Sequence, residues 1–303
     1  MSAAIRERVL RGIALNREPG FFFSGNFLGL SFDTIATRDM RVSVETGPHC
    51  ADRDGQANFA VLAMLADMAL AGCIRAGLTL TTRLATVNMN LQMTGARIEG
   101  RLEATSDFQG FFGGHSKQGL ARVSVAGAKG QACYGTGTFM ALAPPPGVTL
   151  HPLPDTRRRE APRLAEADLT REEMKLLRHA EKTLAGGDVD FIRRFWGLEP
   201  HHTKDGASCA MKNGEQVANR VGHAQGGILL AEAAATASAS LPESWGLTGI
   251  SAAFVSPGEG SVLRARSRVV HHGRMTAAVR TEITGVGRRR VLEALSTHSR
   301  IPA

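Results

Sequence analysis

Two helix-like segments of the chain follow one pattern, and each carries a chemical group that the other lacks. The segments are NFAVLAMLADMA at 58–69 and QGGILLAEAAAT at 225–236. Aligned without gaps, Asp67 falls opposite Ala234, and Gly226 falls opposite Phe59. A carboxylate activates water as a general base or attacks as a nucleophile. A helix that begins with glycine offers unpaired N–H groups to an oxygen that becomes negative. The two segments together predict one composite site, whose mirror image lacks both groups.

The elements that must position these groups recur in the same order in both halves of the chain. Each half begins with helical sequence, and Thr170 opens the second such stretch with a Ser/Thr-x-x-Glu cap. An Ala- and Leu-rich segment that is apolar nearly all the way round follows and predicts a buried helix. Runs of alternating Val, Ile and Thr separated by Gly then predict antiparallel strands. These runs are 85–93, 97–106, 120–126 and 131–141 in the first half, and 248–255, 261–270, 275–284 and 289–300 in the second. This order predicts an α+β fold.

A segment rich in proline and arginine separates the two halves. It begins at Ala143-Pro144-Pro145-Pro146, contains three consecutive arginines at 157–159, and has no sustained hydrophobic period. Such composition is typical of a linker. We therefore predict an N-terminal domain at 1–143, a linker at 144–168 and a C-terminal domain at 169–303.

Composition narrows the class of protein. Of the 303 residues, 43% are hydrophobic and 21% charged, which is typical of a globular protein with a sizeable core. The net charge of +8 favours anionic partners, but the arginines are dispersed and aromatic residues are only 5%, so we expect no nucleic-acid binding. No apolar run reaches the ~20 residues of a membrane helix, so we expect no membrane partner. Four widely spaced cysteines without a CxxC pair, and an N-terminus unlike a signal peptide, predict a cytoplasmic protein.

The two helix segments resemble those of hotdog-fold thioesterases of the phenylacetate-pathway (PaaI-like) type. In that family the helix begins with His-Gly-Gly and continues, after a hydrophobic turn or two, to Leu-Ala-Asp-x-Ala. The stretch 65–69 matches the second part. Gln225-Gly226-Gly227 matches the first part, with Gln225 in place of the common His. Asn219 stands seven residues before Gly226, where the family often has an Asn.

The resemblance implies a tandem, or double, hotdog chain in which two domains pack as the family's homodimer does. Each domain would be a long buried helix wrapped by an antiparallel sheet. Members of the family generally hydrolyse acyl-CoA thioesters, so the implied partner is an acyl-CoA substrate, with no metal and no other cofactor. The family's carboxylate and glycine donor come from opposite subunits, which implies that Asp67 meets Gly226 between the two domains. An exposed sheet edge is compatible with a homo-oligomer of double-hotdog chains.

The resemblance also implies a role for each residue of the composite site. Asp67 would be the general base or nucleophile, and the N–H of Gly226 would polarise the thioester carbonyl. Asn219 and Gln225 would position water or the acyl group. The expected substrate-binding residues are Gly227, Met64, Met68 and Arg274. The methionines would line an adaptable apolar pocket, and Arg274 would bind the phosphates of CoA from a turn between strands.

Two alternatives remain open at this level. The stretch 227–233 also resembles the helix of hotdog 3-hydroxyacyl thioester dehydratases, in which a glutamate equivalent to Glu232 is catalytic. That family pairs the glutamate with a His fourteen residues earlier, where this chain has Ala218, and the difference argues against dehydration. A non-catalytic acyl-CoA-binding protein is the other alternative, because one copy of each motif is already lost. Release of free thiol from an acyl-CoA separates the enzyme from the binder.

Overall fold

The computed structural model of the chain describes residues 2–114, 117–153 and 161–301. The α-helices in these residues are α1 Ser2–Asn16, α2 Phe23–Leu28, α3 Phe59–Ala76, α4 Arg171–Ala185, α5 Phe191–Trp196 and α6 Gly226–Ser238. The strands of the first half are β1 Ser31–Thr34, β2 Met40–Glu45, β3 Arg83–Met93, β4 Arg101–Phe111, β5 Gln118–Gly127 and β6 Gly130–Leu142. Those of the second half are β7 His201–Thr203, β8 Gly206–Lys212, β9 Trp245–Phe254, β10 Val262–His272, β11 Thr276–Thr284 and β12 Arg290–Arg300.

All twelve strands form one sheet, and the two halves contribute to it symmetrically. The strand order is β1-β2-β4-β5-β6-β3-β9-β12-β11-β10-β8-β7, and every pairing is antiparallel. The order of the second half is the reverse of the first, so β3 and β9 pair at the centre, with Leu91 opposite Ile250. The predicted α+β fold, with one long buried helix and an antiparallel sheet in each half, is confirmed.

The two core helices α3 and α6 pack against each other and against the sheet. Gly227 lies where they cross, and a Cβ atom on it would be 2.5 Å from the Cα of Met64. Real Cβ atoms do not approach backbone so closely, so only glycine lets the second helix lie directly on the first. This contact fixes the start of α6 against the middle of α3.

Helix α3 is strongly apolar along its whole length. Its mean hydropathy of 1.8 over 18 residues would suit a membrane span by composition alone, but 89% of it is buried inside the fold. Asp67 and Arg75 are its two charged residues. Core packing accounts for the apolar residues, and the two charges require a separate explanation.

The predicted strands and core helices agree with the observed elements to within a few residues, and the Thr170 cap is present. Thr170 Oγ1 accepts a hydrogen bond from the Glu173 N–H at 3.3 Å, and the Glu173 carboxylate accepts one from the Thr170 N–H at 2.8 Å. The elements that the sequence did not predict are α2, β1, β2, α5, β7 and β8, which precede the core helix of each half. In the segment 144–168, residues 154–160 lie outside the described residues and include the arginine triplet. The domain limits stay a prediction.

Candidate active site

Asp67 lies in the middle of α3, where a side chain would normally be apolar. Its residue is 5% exposed. The Oδ1 atom accepts a hydrogen bond from Thr86 Oγ1 in β3 at 3.1 Å, and Oδ2 accepts one from Gln225 Nε2 at 2.6 Å. Each donor comes from a different element, and Gln225 comes from the other half of the chain. The carboxylate is thus held at the boundary between the halves.

Burial dominates the acidity of this carboxyl group. It raises the pKa of Asp67 from its usual 3.8 to about 7. The hydrogen bonds from Thr86 and Gln225 and the positive charge of Arg75 lower the pKa, but they only partly offset the loss of water. A pKa near neutrality suits a group that both takes and returns a proton.

The glycine-led start of α6 faces this carboxylate. Gln225 caps the helix, because its side chain accepts a hydrogen bond from the Ile228 N–H at 3.0 Å and its carbonyl accepts one from the Leu229 N–H at 3.0 Å. The N–H groups of Gly226 and Gly227 have no hydrogen-bond partner in the part of the chain that is described. A Cβ on Gly226 would be 3.2 Å from Asp67 Oδ1 and 2.8 Å from Thr86 Oγ1. Glycine therefore leaves room beside the carboxylate for a reacting group.

A cleft of about 310 Å³ opens over these groups. Both halves line it, and its surface is apolar apart from a few side chains. The residues before position 151 that line the cleft include Phe22, Asp67, Met68, Ala71, Arg75, Arg83, Thr86 and Leu150. From the second half the lining residues include Asn219, Arg220, His223, Gln225, Gly226, Leu229 and Phe254. The arrangement places a carboxylate, the free backbone N–H of Gly226 and apolar side chains in one cleft.

Asn219 lies in the wall of the cleft, but its side-chain oxygen is occupied. It accepts hydrogen bonds from the N–H groups of Val221 at 3.0 Å and His223 at 3.2 Å, which closes the loop before α6. His223 Nε2 lies 3.3 Å from Glu259 Oε1. In this structure Asn219 holds the loop that carries the cleft wall.

The predicted substrate-binding residues lie in three different places. Met68 lines the cleft. Met64 is fully buried at the helix crossing, where it contacts Gly227, so both act in packing. Arg274 is exposed in the turn between β10 and β11, at the opposite end of the sheet from the cleft. It contributes nothing to the cleft walls.

Glu232, the alternative carboxylate, is buried on α6 away from the cleft. The residue has no exposed surface, and neither carboxyl oxygen has a hydrogen-bond partner of ordinary geometry in the described residues. Burial raises its pKa from 4.5 to about 8, and the nearby backbone of Met211 and Ala265 lowers it only in part. A substrate that occupies the cleft has no described path to this group.

The structure adds three side chains that the sequence analysis did not identify. Thr86 binds Asp67, and Arg75 and Arg220 lie farther along the cleft. A sequence signal for Arg75 was present, because it is the other charged residue of α3 and stands eight positions after Asp67, about two helical turns. Thr86 and Arg220 stand in a strand and a loop with no comparable pattern.

Comparison with known proteins supports the fold. Neither protein-family models nor curated proteins match the sequence. Among solved structures, a hotdog-fold protein of unknown function from Alicyclobacillus acidocaldarius has a TM-score of 0.52 at 10% identity and covers 90% of this chain and 96% of its own. The 12:0-ACP thioesterase from Umbellularia californica has a TM-score of 0.51 at 9% identity and covers 86% and 93%. The TesB protein of Mycobacterium avium subsp. paratuberculosis has a TM-score of 0.50 at 10% identity, with the same coverage of 86% and 93%. At such identities, the likeness shows the hotdog fold over most of the chain.

Proposed function

We propose that this protein hydrolyses an acyl-CoA thioester to a free acid and CoA at one composite site between its two halves. The observation that carries the proposal is the meeting of Asp67 from α3 with the free N–H groups at the start of α6. The name of one similar structure, a 12:0-ACP thioesterase, supports thioester hydrolysis as the type of reaction. The PaaI-like helix motifs favour CoA as the thiol carrier, and the four free cysteines favour a cytoplasmic enzyme.

Each step of the proposed reaction uses a chemical group that lines the cleft. The thioester carbonyl oxygen accepts a hydrogen bond from the Gly226 N–H, which stabilises the negative charge that develops there. The positive end of α6 adds to this effect. Ionised Asp67 takes a proton from a water molecule, and the water oxygen forms a bond to the carbonyl carbon. When the C–S bond breaks, Asp67 returns the proton to the departing sulfur, so the products are a carboxylic acid and a thiol.

Asp67 acts as a general base in this scheme. Both of its oxygens are held by donors, which fixes the carboxylate but leaves each oxygen a further lone pair for water. Its pKa of about 7 is close to the working pH, where general-base catalysis is most efficient. Gln225 couples the two groups, since one side chain binds Asp67 and caps the helix that carries the N–H donor.

Thiol release tests the proposal directly. The protein is incubated with short, medium, long and aromatic acyl-CoA esters, and free CoA is measured with a thiol reagent. Turnover of at least one ester above the rate of hydrolysis without protein is expected. Tight binding of acyl-CoA without thiol release would instead identify a binding protein and overturn the enzymatic proposal.

The pH dependence of turnover follows from the acidity of Asp67. Because the base must be ionised, kcat/KM is expected to rise tenfold per pH unit below about pH 7 and to level off above it. Arg75 lowers the pKa of Asp67, so Arg75→Gln is expected to move the midpoint to higher pH. The measurement is kcat/KM from pH 5 to 9 with an ester that is stable over that range. A profile that is flat between pH 5 and 8 would contradict the assignment of Asp67 as base.

A further inference from the structure

The cleft contains a buried guanidinium group that forms no ion pair with the described residues. Arg75 is 5% exposed, and its Nε donates a hydrogen bond to the carbonyl of Thr82 at 3.1 Å. Its Nη1 is buried and has no hydrogen-bond partner in the described residues. An unpaired guanidinium N–H in such a place is costly unless a ligand completes it.

Other cations line the same cleft. Arg220 lies close enough to lower the pKa of Arg75, and it is anchored by the carbonyl of His151 at 2.9 Å. Arg83 also lines the cleft. Burial lowers the pKa of Arg75 to about 9, so it stays charged at neutral pH. Asp67 is the one acidic side chain among the described residues that line this cleft, and its charge raises the pKa of Arg75 without a direct ion pair.

Asp67 and Arg75 are joined by an apolar stretch of the same helix. Asp67, Met68, Ala71 and Arg75 all line the cleft from α3. Eight residues of helix rise about 12 Å. An acyl chain with its thioester at Gly226 would therefore pass Met68 and Ala71 and bring its far end toward Arg75.

We propose that Arg75 and Arg220 bind a carboxylate at the far end of the acyl chain, so that the preferred substrates are thioesters of dicarboxylic acids. This inference rests on the proposed hydrolysis and names its substrate class. The carboxylate supplies the acceptor that Arg75 Nη1 lacks and neutralises part of the positive charge of the cleft. The opposite charges of Asp67 and Arg75 set the direction of the acyl chain, because Asp67 repels a second carboxylate.

The test compares matched pairs of CoA esters: glutaryl with pentanoyl, adipyl with hexanoyl, and suberyl with octanoyl. In the wild type, kcat/KM is expected to favour one or more dicarboxylic esters by roughly 10- to 100-fold, the range of a charge-assisted hydrogen bond. Arg75→Gln is expected to remove this preference, measured as the ratio of kcat/KM for the two esters of a pair at one pH, and circular dichroism checks that the variant is folded. Arg75→Lys is expected to restore part of the preference.

The phosphates of CoA are the other source of negative charge for these arginines. The same pairs are therefore measured as N-acetylcysteamine thioesters, which carry no phosphate. A preference that persists with these esters supports the acyl carboxylate. A loss in Arg75→Gln that affects every CoA ester equally and disappears with N-acetylcysteamine esters would overturn the inference in favour of phosphate binding.

Binding separates failure of this inference from failure of the proposed hydrolysis. The variant Asp67→Asn is titrated by calorimetry with adipyl-CoA and hexanoyl-CoA, so that no turnover is needed. Tighter binding of adipyl-CoA, lost in the double variant with Arg75→Gln, supports the carboxylate site even if the wild type releases no thiol. Equal affinity for both esters overturns the site, whatever the outcome of the thiol assay.

Discussion

Replacing Asp67 with Asn is expected to lower kcat by roughly 10²- to 10⁴-fold, the range for loss of a positioned general base. Asparagine preserves the size of the side chain and can still accept a hydrogen bond from Thr86 or Gln225, but it cannot take a proton at neutral pH. Because the proposed contacts of the acyl group lie along the cleft and at Gly226, where this variant changes nothing, KM is expected to change little. The measurement is steady-state thiol release at pH 8, where wild-type Asp67 is mostly ionised.

Glu232→Gln is the matched control for this variant. It makes the same change, carboxylate to amide, in the other core helix, at a group that is also buried and also has a raised pKa. Turnover close to that of the wild type is expected, because Glu232 does not line the cleft. Loss of turnover in Glu232→Gln together with normal turnover in Asp67→Asn would show that the composite site is wrong and would move the chemistry to α6.

The fold could be predicted from the sequence because its main signals are local. The core helices are apolar nearly all the way round, and strands β4, β5, β10 and β11 alternate between buried and more exposed residues over much of their length, with glycine near the turns. The strands that precede each core helix were missed for a physical reason. Strand β7 has three residues, and β1 has four, so their stability comes from pairing with β8 and β2 and not from their own pattern.

The site could be predicted only in part. Asp67 stands out as a charge in an apolar helix, and the two glycines stand out at a helix start, so the chemical groups were visible. Their contact depends on the packing of α3 on α6, which no local pattern specifies. Gly227 illustrates this limit of prediction from sequence. Its position at the helix start predicts contact with substrate, whereas in the structure it packs against Met64 where the two helices cross.

Arg274 is a second residue whose predicted contact with substrate depends on the packing of the chain. A basic turn between strands predicts a contact with phosphate, but the sheet topology determines which turn lies beside the candidate site. The β10–β11 turn lies at the Trp245 end of β9, whereas the cleft lies at the Phe254 end. The arginines that do line the cleft are Arg75 in a helix, Arg83 in the next strand and Arg220 in a loop of the other half, and the packing of the halves brings Arg220 to the other two.

Replacing Glu232 with Gln is expected to stabilise the protein, and increasingly so as the pH rises. Burial raises the pKa of Glu232 from 4.5 to about 8, so the folded state holds the proton more tightly than the unfolded state. The contribution of protonated Glu232 to the free energy of unfolding is therefore fully present below pH 4.5, and it is lost as the pH rises toward 8. Between pH 4.5 and 7 the loss amounts to about 3 kcal/mol, a large part of the free energy of unfolding of a typical domain.

Glutamine has nearly the same shape and does not titrate, so it avoids this loss. The measurement is the urea concentration at half-unfolding for the wild type and Glu232→Gln at pH 5, 7 and 9. The difference between the two proteins is expected to be small at pH 5 and to grow to its full value by pH 9. A difference that does not depend on pH would mean that Glu232 has a partner in the folded state that keeps it ionised.

Asp67→Asn is expected to show the same trend with a midpoint nearer pH 7, and that variant loses turnover as it gains stability. Loss of turnover in Asp67→Asn but not in Glu232→Gln would separate a carboxylate retained for catalysis from one that the reaction does not use.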